Sequence, residues 1–340
     1  MQKITIKGKT KSEILIGENF ANTSKYLPKN NVIIITDDNL YKHYFNDFPN
    51  FPVIKIATGE QIKTLQTLED VILQLIDLQA DRETFLLGIG GGIVCDITGF
   101  VASIYMRGID FGFVSTSLLS QVDASVGGKN GVNFHSYKNI IGNFNQPKFV
   151  ICDIKMLDTL PEKEIKNGMG EVVKHTIIAD GRMFCIIKNN ITQILALNKN
   201  RINEIIYNSI EIKSKIVNND ELEQGERKKL NLGHTLGHAI EKYSSLSHGE
   251  AISIGIIFSA QLSHKKAYID EKTLAIIKDL LSSLGLPITT NIDRQKLAKA
   301  IKKDKKRSSN NIDFVLIKKI GEVTIETINI EELQNEILDF

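Results

Sequence analysis

Five short apolar runs in the first half of the chain have the length and β-branched content of buried strands: Val32 to Thr36, Val53 to Ala57, Thr84 to Ile89, Phe111 to Ser115 and Phe149 to Asp153. Between them apolar positions recur at helical spacing. The clearest case is Thr64 to Ala80, where Leu65, Leu68, Ile72, Leu75, Ile76 and Gln79 fall on one face. Unbroken apolar strands alternating with amphipathic helices predict a parallel sheet covered on both faces. After Pro161 the pattern becomes helical, over Glu162 to Ala179, Arg201 to Asn218, Lys229 to Tyr243, Gly249 to Ala267 and Glu271 to Leu284. Gly285 and Pro287 end the last of these. FVLIKKIGEVTIETI reads as two strands turning around Lys319 to Glu322, a hairpin returning to the domain surface. The stretch Lys302 to Asn311 reads as a solvated loop. The expectation is an α/β domain over 1–158 and a mainly α-helical domain over 159–340.

A length of 340 residues supports two domains, since it exceeds what one core usually organises. With 42% hydrophobic and 24% charged residues the chain can bury an ordinary globular core. A net charge of +2 excludes a general nucleic-acid footprint, so an anionic ligand must be held by local cations. Cys95, Cys152 and Cys185 lie too far apart for a cysteine zinc site or a redox pair and read as reduced thiols. The N-terminus alternates polar and apolar residues, without the apolar core of a signal peptide, and no apolar stretch spans a bilayer. Cytoplasmic residence is expected.

Three segments carry candidate phosphate chemistry. TFLLGIG runs into Gly90, Gly91 and Gly92 and then into IVCDITGFVAS, a strand, glycine turn and helix that bring backbone amides to a diphosphate. A turn without a ligand explains this spacing equally well. Asp96 sits one turn into the helix. TGEQIKT, Thr58 to Thr64, offers Glu60 and Lys63 beside a glycine, although taken alone a plain helix start capped by Thr64 is the better account of it. The third is the long polar, glycine-rich loop STSLLSQVDASVGGKNGVNFHSYKNIIGNF. There Lys129 and Lys138, with Arg107 upstream, can converge on a phosphate or carboxylate.

Metal chemistry is signalled in the helical half. Three of the seven histidines, His234, His238 and His248, fall within one short stretch. His234 and His238 share a helical face, and GMGEVVKH supplies a carboxylate from a separate helix. One carboxylate with two or three imidazoles suits zinc. Glu250 reads as a helix cap or as support for a ligand histidine. His43, His135, His175 and His264 read as ordinary hydrogen-bonded or surface imidazoles.

In order, GEQIK, GGGIVCD, YMRG, SQVDASVGGK, GVN, KNIIG, GEVVKH, NLGHTLGHAIE, HGEA and DKK closely resemble the 3-dehydroquinate synthase family over almost the whole chain. The resemblance implies a Rossmann-like NAD domain, a helical metal domain, a cleft between them and a homodimer. It implies zinc or cobalt on Glu171, His234 and His248, with His238 moved from the metal to substrate contact or proton transfer. Substrate positions fall on Arg107, Lys129, Asn139, Lys174, Arg227, Asn231, His238 and Lys305. NAD positions fall on Thr58, Gly59, Glu60, Gln61, Ile62 and Lys63, on Gly92, Ile93, Val94, Cys95 and Asp96, on Thr116, Ser117, Lys129 and Lys138, and on Met156, Leu157, Asp158 and Thr159. The implied reaction converts 3-deoxy-D-arabino-heptulosonate 7-phosphate to 3-dehydroquinate and phosphate by transient oxidation, β-elimination, reduction, ring opening and aldol closure. Other sugar-phosphate cyclases and metal-dependent polyol dehydrogenases are the competing families. The chain departs from the family pattern at Cys95, where glycine is usual, and at Gly170 and His175, where GMGEVVKH stands for GLAEVIKY.

Overall fold

A computed structural model of the protein describes residues 1–135, 137–304 and 310–340. They form two compact units, Met1–Leu160 with Lys213–Glu221, and Pro161–Ile212 with Leu222–Phe340.

The first unit is built on a seven-stranded sheet. In chain order the strands are β1 (Gln2–Lys7), β2 (Lys11–Ile16), β3 (Val32–Asp37), β4 (Val53–Ile56), β5 (Phe85–Gly90) and β6 (Phe111–Ser115). A separate antiparallel hairpin of β7 (Lys129–Phe134) and β8 (Tyr137–Phe144) follows, and β9 (Phe149–Cys152) returns to the sheet. The order across the sheet is β1-β2-β9-β6-β5-β3-β4. β1 pairs antiparallel with β2 and the remaining pairs are parallel. The expected apolar runs all become strands. The N-terminal alternation proves to be a further pair, β1 and β2. The polar loop expected after Ser115 is largely the β7–β8 hairpin. Its alternation is hidden because Gly131 faces Gly142, where a Cβ on Gly131 would stand 2.6 Å from the Ile141 carbonyl oxygen.

Helices α1 (Asp38–Tyr44), α2 (Leu65–Asp77) and α3 (Gly92–Ile104) join these strands. Thr64 caps α2 by accepting from Thr67 N. The buried stripe of α2 is Leu68, Val71 and Leu75, while Leu65 and Ile76 are exposed, so the expected face is rotated. Leu15, Ile34, Leu87, Ile89, Val114 and Ile151 form the sheet's buried core.

The second unit holds α4 (Glu162–Ala179), α5 (Gly181–Asn189), α6 (Ile191–Leu195), α7 (Lys199–Asn219), α8 (His234–Tyr243), α9 (His248–Lys265), α10 (Glu271–Ser283), α11 (Arg294–Asp304) and α12 (Ile330–Asp339). The last turns of α7, from Lys213, belong to the first unit. Helix α9 is apolar on all sides and lies in the core. It needs cover. The hairpin of β10 (Asn311–Lys319) and β11 (Glu322–Asn329) supplies part of it, with Phe314, Leu316 and Ile328 buried against Phe258 and Leu262. That hairpin is a core element and not the surface return expected. The helix expected over Lys229 to Tyr243 is broken by Gly233, at φ +78°, into a 3-10 turn over Glu226–Asn231 and α8. Within Lys302 to Asn311, expected as a loop, α11 continues to Asp304 and β10 begins at Asn311.

Candidate active site

Helices α4, α8 and α9 bring Glu171, His234 and His248 together. Glycines set the spacing: a Cβ on Gly249 would stand 1.9 Å from the Asn167 carbonyl oxygen, and one on Gly233 would stand 2.9 Å from that of Ile252. Gly170, one of the departures, lies against Gly249 in the same close approach. Asn167 Oδ1 also accepts from Gly249 N at 2.7 Å, fixing the start of α9 against α4.

Glu171 is fully buried, where an ionised carboxylate is costly without compensation. Lys174, one turn on, is ion-paired to it. The Nε2 atoms of His248 and His234 lie 3.3 and 3.8 Å from Glu171 Oε1. One ligand atom from each of Glu171, His234 and His248 lies within 4.8 Å of the others.

Each of the two imidazoles is oriented from behind. His234 Nδ1 lies 3.2 Å from the Leu232 carbonyl oxygen, which can only accept, so the proton is on Nδ1 and the Nε2 lone pair faces inward. His248 Nδ1 donates to Glu241 Oε1 at 3.2 Å. Burial, reinforced by the Lys174 cation, holds His234 well below the ordinary histidine range, so it is neutral. Burial also disfavours charge on His248, but the carboxylates of Glu171 and Glu241 outweigh it and push that imidazole up to about 9. A carboxylate and two Nε2 atoms, with both Nδ1 protons engaged elsewhere, fit a divalent ion of zinc type. Glu250 closes a capping box with Ser247 and is the helix cap of the two roles expected for it. Glu241, not singled out from the sequence, is the carboxylate on His248.

The ring of His238 is 5.1 Å from that of His234 and 6.4 Å from that of His248, one turn along α8 and outside the three-residue cluster. His175 is no surface histidine: it is buried, with Nε2 3.9 Å from Glu171 Oε2.

In the first unit, parallel strands deliver most of the expected cofactor positions to one sheet edge. Thr58 to Lys63 follows β4, Gly92 to Asp96 follows β5, Thr116 and Ser117 follow β6, and Met156 to Thr159 follows β9. The chain winds outward to β4 on one side of β5 and to β6 and β9 on the other, so the glycine turn lies at the switch point where α/β sheets bind ligands. Asp37, at the end of neighbouring β3, caps α1 by accepting from Leu40 N at 2.9 Å. Burial pushes its carboxyl up despite two backbone donors. Lys63 is buried and contacts Asp96, while its Nζ donates to Asn139 Oδ1 at 2.5 Å. Cys95 points into the core with 1% exposure, and burial pushes its thiol up. Its side chain therefore occupies helix-packing space and leaves the turn itself to Gly91 and Gly92. Met156 and Leu157 are buried, and Thr159 bonds Tyr44 at 2.7 Å.

The expected substrate residues fall in both units. Lys129 and Lys138 are exposed on the β7–β8 hairpin. Arg107, with φ +68°, follows α3 at the end away from the glycine turn, roughly 20 Å of helix from Gly92. Arg227 is buried in the second unit, and Asn231 Nδ2 donates to Glu223 Oε1 at 2.6 Å. Lys305 lies outside the described residues. Lys213, on α7, was not singled out from the sequence, because a single lysine there carries no spacing signal. It is buried, with Nζ donating to the Asp123 carbonyl and carboxylate oxygens, both at 2.7 Å.

The family models for the 3-dehydroquinate synthase N-terminal and C-terminal parts match residues 53–167 and 168–307. A relative from Thermoanaerobacter pseudethanolicus named 3-dehydroquinate synthase is 41% identical over 321 residues, covering 91% of this chain and 90% of its own. Among solved structures, a 2-deoxy-scyllo-inosose synthase complexed with carbaglucose-6-phosphate, NAD+ and Co2+ aligns at TM-score 0.87 with 24% identity, covering 99% of this chain and 100% of its own. A 2-epi-5-epi-valiolone synthase from Streptomyces hygroscopicus, with NAD+ and Zn2+ bound, aligns at 0.89 with 19% identity and 99% coverage of each. At these identities the two structures establish the fold alone.

Proposed function

This chain belongs to the 3-dehydroquinate synthase family, and on that premise we propose that it converts 3-deoxy-D-arabino-heptulosonate 7-phosphate to 3-dehydroquinate and phosphate using NAD and a zinc or cobalt ion. The observation that carries the reading is the buried Glu171 carboxylate facing two imidazoles whose Nδ1 protons are already engaged. Glu171, His234 and His248 hold the metal. Segments 58–63, 92–96, 116–117 and 156–159, with Lys129 and Lys138, hold the cofactor. NAD supplies a reversible hydride acceptor for the ring carbinol, and the metal supplies Lewis-acid polarisation of its hydroxyl.

The chain's own groups do the rest. Lys174, buried and paired with Glu171, places a cation beside the reacting oxygens, where it stabilises developing negative charge. His238, on the same helical face as His234 but outside the cluster, contacts substrate and moves its protons. Arg107, Lys129, Asn139, Arg227, Asn231 and Lys305 bind the phosphate, carboxylate and hydroxyls. The proposal includes two domains divided near residue 158 and cytoplasmic residence, both read from the sequence pattern, and a homodimer, carried by the family resemblance. Among the described residues no helix is long and apolar enough to cross a membrane.

The test is direct: incubate purified protein with the heptulosonate phosphate, catalytic NAD and zinc, and follow phosphate and dehydroquinate. Equimolar formation of both is expected without net NADH. Absence of phosphate release overturns the assignment, and NADH accumulation without it identifies a polyol dehydrogenase.

A further inference from the structure

The β7–β8 ladder is broken at one place. Val132 pairs with Ile141 and Phe134 with Tyr137, so Asn133 alone faces the segment Lys138 to Ile140. A bulge of this kind re-aims side chains. Within it Asn139 takes φ +50°, a left-handed conformation that needs outside support. Asn133 provides that support, because its Oδ1 accepts from the Asn139 backbone N–H at 2.9 Å in place of a ladder carbonyl.

The other atoms of Asn133 hold the cofactor loop. Its Nδ2 donates to Glu60 Oε1 at 2.7 Å, and its backbone N–H donates to the Lys63 carbonyl oxygen at 2.8 Å. Lys63 closes the circuit through Asn139 Oδ1 at 2.5 Å and through Asp96 at the start of α3. One half-buried side chain thus joins Glu60 of the 58–63 loop to the backbone of Asn139, beside the direct contact of Lys63 with the Asn139 side chain.

We propose that Asn133 is a positioning residue that couples the two binding events: ordering of the 58–63 loop by NAD holds Asn139 in its left-handed, substrate-ready conformation, and substrate on Asn139 in turn orders the loop. Such coupling is reciprocal, with each ligand tightening the other by the same factor. The proposal rests on the reading of Glu60 as a cofactor residue and Asn139 as a substrate residue.

The experiment measures, on zinc-loaded protein, the Kd of NAD and the Kd of a carbocyclic phosphonate analogue of the substrate, each with and without the other ligand. Asn133→Ala is expected to reduce the factor by which NAD tightens the analogue by about tenfold, the worth of a lost hydrogen bond network at this exposure. Asn133→Asp keeps the acceptor for Asn139 but sets a second carboxylate against Glu60. It is expected to weaken NAD while leaving analogue affinity in the absence of NAD at its wild-type value, and it serves if the alanine variant does not fold. Asn139→Ala and Glu60→Ala separate the two levels. If these leave both affinities unchanged, the underlying site reading fails. If they act but Asn133→Ala preserves the coupling factor, or Asn133→Asp weakens both ligands equally, the role assigned to Asn133 is overturned.

Discussion

The candidate metal cluster and the strand-end edge proposed for the cofactor are built on opposite principles. Glu171, Lys174 and His175 are buried on one helix, and glycine contacts press α9 against it and α8 against α9, with three ligand atoms within 4.8 Å of one another. The strand-end edge gathers short segments from the ends of four strands, beside a hairpin whose lysines are exposed. Buried charge in the first region has no solvent to fall back on, so removing one partner there is costly. Around Glu60, Asn133 and Asn139 water can replace a lost partner, and the same kind of change should alter how ligands influence one another more than whether the site exists.

The largest effect should come from His248→Ala. Loss of one of three donors is expected to remove the metal and the activity together, read by metal analysis beside the phosphate-release assay. His238→Ala is the contrasting variant. It should keep stoichiometric metal and lose turnover, because His238 stands outside the cluster on the same face. Metal loss from the His238 variant, or full metal retention by the His248 variant, would reverse the two assignments and restore a pair of ligands one turn apart on α8.

The same contrast governed what the sequence could reveal. Histidines four residues apart on a helix must share a face whatever the rest of the fold does, so the cluster was visible as spacing. Spacing offered His238, one turn from His234, and only the family resemblance moved the ligand role to His248, because that choice depends on how α9 starts against α4 through Asn167 and Gly249, a tertiary contact. Core strands were legible because both faces are apolar. The β7–β8 hairpin was not, since Gly131 and Gly142 remove the alternation that marks a strand. Asn133 was legible only as one letter of a motif, because its role arises from a ladder irregularity that no local pattern encodes. Glu241 was hidden for a related reason, as its partner His248 lies on the next helix.

Glu241→Gln therefore gives an intermediate effect that tests how the cluster is supported. Losing the carboxylate behind His248 should weaken zinc about 10- to 100-fold in competition with a chromophoric chelator. Glu250→Gln, two residues from the same histidine, should leave zinc affinity near wild type and at most lower the melting temperature slightly, since glutamine still serves a capping box. Equal loss of zinc in both variants would show that position along α9 matters and the Glu241 contact does not.

The most continuous effect is on pH. Metal-free protein carries a second proton on His248 up to about pH 9, held there by Glu171 and Glu241 against burial, whereas the ordinary value is 6.5. The ion must displace that proton, so apparent zinc affinity should rise by up to about tenfold per pH unit from 7 to about 9 and then level off. The stability of the metal-free protein should move the other way. A raised pKa in the folded state contributes stability that is complete below 6.5 and is lost as pH rises through about 9. Glu241→Gln should bring the levelling point of zinc affinity to lower pH while reducing its plateau. A flat affinity profile between pH 7 and 9 in metal-buffered titrations, with Glu241 intact, would mean that His248 enters the site without its second proton and that the two carboxylates do not hold it as the geometry requires.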